Sequence, residues 1–208
     1  ALEQGERRVQ RAYSFVNPPG TPYHEFYLVE IPGGELSPSL GSLQVGDGLL
    51  VQSQATGFLT LDEIPPGRDL WLLSTGTAIG PFLAMLAEGQ VFDRFEHLVL
   101  VHGVRKGEEL SYQPLIASFA EQHGERFRYV PFVSRETWPE AMAGRIPAAI
   151  VDGSLQARVG LNFSPELSQV MICGNPAMVK ETQQTLLGLG LAKNLRRAPG
   201  NISMENYW

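Results

Sequence analysis

Apolar and polar positions along the chain fall into two textures that change near residue 66. Before that point, the stretches at 24–31 (HEFYLVEI) and 48–53 (GLLVQS) are rich in aromatic and branched residues. They lie near Pro/Gly segments such as 17–22 and 32–34, which predicts strands in a β-rich first part. From Leu70 onward, short apolar runs at 70–73 (LWLL), 98–101 (LVLV), 129–133 (YVPFV) and 170–172 (VMI) alternate with helical patterns near 79–88, 111–122 and 176–188. That alternation predicts a βαβ series, and near-continuous apolar strands suit a parallel sheet covered on both faces. Pro131 inside the third run points to an edge or irregular strand. Pro65-Pro66-Gly67 marks the boundary, giving a domain at 1–66 and a doubly wound α/β domain at 67–208.

The unusual residues cluster directly after these runs: Ser74-Thr75-Gly76-Thr77, His102-Gly103-Val104-Arg105, Ser134-Arg135 and Cys173-Gly174-Asn175-Pro176. In an open parallel sheet those segments share the carboxyl rim, where ligands bind.

Composition narrows the chemistry. One cysteine, Cys173, rules out an internal disulfide, a Cys₄ zinc site and a four-cysteine iron–sulfur cluster within this sequence. Electron transfer would therefore need an organic cofactor. The four histidines show no metal-ligand spacing, so no metal is expected. A net charge of −6 argues against nucleic-acid binding and makes clustered arginines local anion sites. No apolar run reaches the roughly 20 residues of a spanning helix, and the first residues, ALEQG, carry no signal-peptide pattern. A cytoplasmic protein with no membrane partner is expected, as a monomer.

Several motifs carry chemistry only in combination. Gly76-Thr-Ala-Ile-Gly80-Pro81 follows a strand and opens a helix, so its free N–H groups can face a pyrophosphate. It lacks the middle glycine of GxGxxG and the lysine of a P-loop, and alone it fits a plain strand-to-helix turn better. Arg105, Arg135 and Arg145 can converge on a dianion such as the 2′-phosphate of NADP, or stand as separate surface arginines. Arg11-Ala12-Tyr13-Ser14 offers a cation, an aromatic face and a hydroxyl. Cys173 reads as a small buried side chain, with steric use against a flat ring. Tyr207 and Trp208 put two large rings on a terminal segment, where they would be expected to cover something apolar.

In this order and spacing the chain resembles the bacterial ferredoxin/flavodoxin NADP(H) reductases that end in tryptophan. RAYS at 11–14, FYLV at 26–29, LSP at 36–38, STGTAIGP at 74–81, LVLVHGVR at 98–105, VSRE at 133–136, GRIP at 144–147, CGNPAMV at 173–179 and ENYW at 205–208 carry the likeness. The resemblance implies a partial antiparallel β-barrel FAD domain ahead of the NADP(H) domain, with further strands preceding RAYS in the family. It implies FAD contacts from Arg11, Ala12, Tyr13, Ser14, Tyr27, Leu28, Val29, Glu35, Leu36, Ser37, Thr77 and Trp208. NADP contacts fall on Thr77, Arg105, Ser134, Arg135, Arg145, Cys173, Gly174 and Asn175. Catalytic roles fall on Ser14, Cys173, Glu205 and Tyr207, the last gating the flavin face.

Ferredoxin or flavodoxin would be the electron partner, docking near Lys193, Arg196 and Arg197. The alternatives are an NADP(H)-binding module without turnover, if the preceding strands are absent, and the reductase component of an oxygenase.

Overall fold

The computed structural model describes residues 1–4 and 7–207. In the first part, β1 (Leu2–Gln4) and β2 (Arg7–Val9) pair antiparallel, and the short helix α1 (Ser37–Gly41) follows. Leu2, Val9 and Leu36 form a small core there, with Tyr13 packed against it.

The stretches expected as strands at 24–31 and 48–53 do not form ladders among the described residues. The first contributes an isolated antiparallel bridge, Phe26 to Phe15, and the second receives a backbone hydrogen bond from the Ala1 N-terminal amine at the Leu50 carbonyl, 2.6 Å. Branched residues favour extended chain, but a strand exists only where a neighbour takes up its N–H and C=O groups. Val29, Ile31, Leu49, Leu50 and Val51 remain exposed.

The second part is a six-stranded, all-parallel sheet: β3 (Asp69–Thr75), β4 (His97–Val104), β5 (Phe127–Val133), β6 (Met142–Ala143), β7 (Ser168–Gly174) and β8 (Ile202–Asn206). Their spatial order is β6-β5-β4-β3-β7-β8, so the chain builds outward in one direction from β3 and then returns to its other side. β5 is close to an edge, because β6 pairs only with Phe132 and Val133. Pro131 therefore needs no donor on that side, as its place in the run anticipated.

Alternation along each apolar strand feeds two cores. Leu70, Leu72, Leu98, Leu100 and Met171 face Phe82, Leu83 and Leu86 of α2 (Gly80–Glu88), Val91 and Phe92 of α3 (Gln90–Arg94), and Ile116 and Phe119 of α4 (Gln113–His123). Trp71, Leu73, Val99, Val101, Val170 and Ile172 face α5 (Ile146–Val151), α6 (Ser154–Val159) and α7 (Pro176–Gly188). These three layers are the doubly wound architecture expected. No helix is long and apolar enough to cross a membrane among the described residues.

The first part docks on the α2/α4 face. Val16 joins that core, and a Cβ on Gly80 would sit 3.3 Å from Val16 Cγ2, so glycine permits the close approach. Tyr112 donates to Glu25 at 2.7 Å, and the Tyr27 and Ser111 hydroxyls are 2.8 Å apart.

Candidate active site

The strand order places a switch point between β3 and β7. Their ladder ends at Ser74 opposite Cys173, and the chains then diverge, opening the crevice where such sheets take ligands. Thr75 spans its mouth: its Oγ1 accepts the Asn175 N–H at 3.0 Å. Asn175 caps α7, its side chain accepting from Ala177 N at 3.0 Å and Met178 N at 3.4 Å, with Pro176 next. That Asn-Pro pair is a helix-start signal, and it engages the Asn175 side chain in capping.

The C-terminal segment is a strand. β8 runs parallel to β7, placing Glu205 opposite Cys173 and Asn206 opposite Gly174, and Tyr207 N–H donates to the Gly174 carbonyl at 2.9 Å. Tyr207 packs against the core that contains Cys173. Its hydroxyl lies in hydrogen-bond contact with Ser14, from the first part, and with the Cys173 thiol. Burial pushes the Cys173 thiol up, the Glu205 carboxylate adds to this, and the Tyr207 hydrogen bond works against it. Cys173 is therefore a neutral thiol near pH 7. Burial also raises Glu205 above the usual carboxylate range, and burial raises the Tyr207 phenol while the Ser14 hydrogen bond opposes. The four residues expected to carry catalysis, with Ser14 159 positions ahead of Cys173 in sequence, thus meet in one place.

Beside them, Tyr13 is half-buried, and burial raises its phenol with Arg11 opposing. Arg11 is exposed and pairs with Glu35, which Arg7 also contacts at 2.7 Å. Exposed pairs of this kind are worth about 0–1 kcal/mol, so the guanidinium can exchange its carboxylate for another anion. Leu36 and Ser37 are buried, the Ser37 hydroxyl accepting from Ile31 N at 3.0 Å. Ala12 and Val29 are exposed and Leu28 is half-buried. Trp208 lies outside the described residues.

On the other side of β3, the arginines follow the rim in strand order. Arg105 follows β4, Ser134-Arg135 follow β5, and Arg145 follows β6 at the start of α5. Ser134 bonds back to the Val104 carbonyl through both N and Oγ at 3.1 Å, and Arg135 N donates to Arg105 O at 2.9 Å. Arg105 reaches Glu109 at 3.5 Å and Arg145 reaches Glu181 at 2.9 Å, with all three arginines exposed.

Two residues have a part here that sequence reasoning missed. Thr75 was visible only as one more polar residue in a turn. His102 was assigned to a turn after its run, whereas the structure keeps it inside β4, fully buried. Its ladder partners Ser74 and Pro131 hold the backbone in register there, and a polar residue inside an apolar run was the available signal.

Residues 72–184 match the Oxidoreductase NAD-binding domain. The Escherichia coli (strain K12) flavodoxin/ferredoxin–NADP reductase is 49% identical over 208 residues, covering all of this chain and 84% of that protein. The chain belongs to the ferredoxin/flavodoxin–NADP reductase family. Within the family, the Pseudomonas aeruginosa ferredoxin–NADP reductase is 37% identical over 98% of this chain and 82% of its own length. A crystal structure of the Neisseria gonorrhoeae ferredoxin NADP+ reductase with bound FAD and NADP superposes with a TM-score of 0.94. It is 38% identical, covering all of this chain and 83% of the other.

Proposed function

We propose that this chain transfers hydride between NADP(H) and FAD and passes single electrons between FAD and ferredoxin or flavodoxin. The observation that carries this reading is the meeting of Ser14, Cys173, Glu205 and Tyr207 at the switch point of the sheet.

The residues present fit both cofactors. Three exposed arginines on adjoining strand ends match a phosphate-bearing nucleotide. An uncharged patch of thiol, phenol and hydroxyl suits a flat conjugated ring. When bound, the two cofactors supply hydride transfer and the flavin its one-electron steps.

The protein's own contribution is positioning and exclusion of water. Arg105, Arg135 and Arg145, with the Ser134 turn, hold the adenosine phosphate end. Thr77, buried at the start of the α2 turn, and Gly174 line the crevice. With Tyr207 displaced, Cys173 would present a neutral thiol to the nicotinamide. Ser14 orients the flavin ring edge through its hydroxyl, which also holds Tyr207. Glu205, its carboxyl raised by burial, stands opposite Cys173 at the crevice mouth, where it would set the local charge. Tyr207 covers the ring face that the nicotinamide must reach, so its displacement gates access. Arg11, Ala12 and Tyr13, with Tyr27, Leu28, Val29, Glu35, Leu36 and Ser37, hold the rest of the flavin, Arg11 on its phosphates.

The carrier docks at a basic hairpin. Leu195 and Ala198 exchange hydrogen bonds of 3.0 and 2.9 Å, leaving Arg196 and Arg197 at the tip of a two-residue turn, with Lys193 also exposed. The three charges sit on a fixed loop: Asn194 Nδ2 donates to the Glu63 carbonyl at 2.8 Å and to Ser203 Oγ at 2.9 Å.

The test is the visible spectrum of the FAD-loaded protein mixed with NADPH without oxygen. Bleaching of the flavin bands supports the reading, and an unchanged spectrum sinks it.

A further inference from the structure

His102 is a buried titratable group that the proposed chemistry leaves unused. It is fully buried in β4, and strand alternation puts it on the same face as Leu98 and Leu100. Its Nε2 lies 2.9 Å from the Gly76 carbonyl oxygen, while its Nδ1 is buried without a hydrogen-bond partner. A carbonyl can only accept, so Nε2 carries the proton. Burial lowers the imidazole to about 4, with the Gly76 bond opposing, so the ring is neutral under ordinary conditions.

The peptide joining Gly76 to Thr77 is trans and planar, so its C=O and N–H point in opposite directions. Holding the carbonyl toward the buried imidazole turns the Thr77 N–H away from it. That N–H belongs to the first turn of the helical segment that begins at Gly76, so it has no intrahelical acceptor. The hydrogen bond from β4 therefore fastens this peptide from outside its own turn, at the crevice between β3 and β7. A leucine at 102 would cover the same face without stranding a nitrogen, as Leu98 and Leu100 do, so the imidazole is not explained by packing.

We propose that His102 is a positioning residue for hydride transfer: through its Nε2–H it fixes the Gly76–Thr77 peptide against which the nicotinamide and flavin align. This rests on the function proposed above.

The experiment uses the full chain loaded with FAD. Stopped-flow flavin reduction by NADPH is compared for wild type, His102→Leu and His102→Gln, alongside thermal midpoints and the ring ¹⁵N spectrum of wild type. The leucine variant is expected to reduce flavin about 10- to 100-fold more slowly at saturating NADPH, with its thermal midpoint retained or raised. The glutamine variant, whose amide can reach the same carbonyl, is expected to recover most of that loss. The ¹⁵N spectrum is expected to show the Nε2–H tautomer. An unchanged reduction rate in the leucine variant, or an Nδ1–H ring in wild type, overturns the proposal. Wild type that NADPH fails to reduce would instead overturn the functional reading, and the tautomer remains measurable on its own.

Discussion

The Thr75 hydroxyl occupies the space that a side chain at residue 174 would need: a Cβ built on Gly174 overlaps Thr75 Oγ1 and comes within 3.1 Å of the Thr75 nitrogen. Gly174 also holds φ +142°, a conformation that side-chain-bearing residues rarely adopt. Gly174→Ala is expected to cost about 2–5 kcal/mol in urea denaturation, combining backbone strain with overpacking. Adding Thr75→Ala should relieve the overlap and leave the backbone strain, so the double variant recovers only part of the loss.

His102 makes stability depend on pH. Its folded value, about 4, lies below the usual 6.5, so the unfolded chain binds the extra proton first. This contribution is fully present above about pH 6.5 and is lost as pH falls toward 4. Its ceiling is on the order of 3 kcal/mol. Urea midpoints measured between pH 7 and 4.5 should fall less steeply in His102→Leu than in wild type. Equal slopes would contradict a buried neutral imidazole.

Cys173 should resist alkylation in the folded protein, since it is buried and its thiol is pushed up. Tyr207→Ala removes the ring packed over it and is expected to raise the iodoacetamide reaction rate at least about tenfold. Mass spectrometry of the single thiol reads this directly, because no second cysteine competes.

Replacing Arg135 or Arg145 by alanine removes a charge-assisted hydrogen bond to phosphate, about 1.5–3 kcal/mol. The KM for NADPH should rise about 10- to 100-fold with kcat little changed, which is the pattern of lost uniform binding. The KM for NADH, which lacks the 2′-phosphate, should stay put. A parallel rise for both nucleotides would remove these arginines from phosphate recognition.

Reversing charge at Arg196 and Arg197 to glutamate should raise the KM for flavodoxin or ferredoxin and weaken its salt dependence. Reduction of a small dye by NADPH should be unaffected. An unchanged carrier KM would place docking elsewhere.

The α/β part was legible because β3, β4, β5 and β7 are apolar runs buried on both faces, and each long helix carries its own start or stop signal. Pro176 after Asn175 and Gly89 after Glu88 are examples. The first part was less so: branched residues at 24–31 and 48–53 state a preference for extended chain, while pairing depends on neighbours distant in sequence. α5 and α6 went unread because six residues are too few for a helical period to register. β8 was hidden by its composition: Ser203, Glu205 and Asn206 look like a polar tail, and only pairing with β7 makes them a strand. The proposed site set rests on motif likeness, whereas His102 and Thr75 make hydrogen bonds to backbone that no spacing rule announces.

The Asn194 clasp on Ser203 fixes the number of residues allowed between the basic hairpin and β8. Asn194 N also bonds the Ile202 carbonyl at 2.8 Å, and Asn201 N the Ala192 carbonyl at 2.8 Å, so both ends of the loop are held. One residue inserted or deleted between 201 and 203, inside the clasp, would have to break these bonds or slide β8 along β7, and a slip of one place turns each side chain to the opposite face. Glu205 would then leave its station opposite Cys173. The entry to β8 should therefore be unforgiving of length change, while the exposed turn at Arg196 and Arg197 can take an added residue outward.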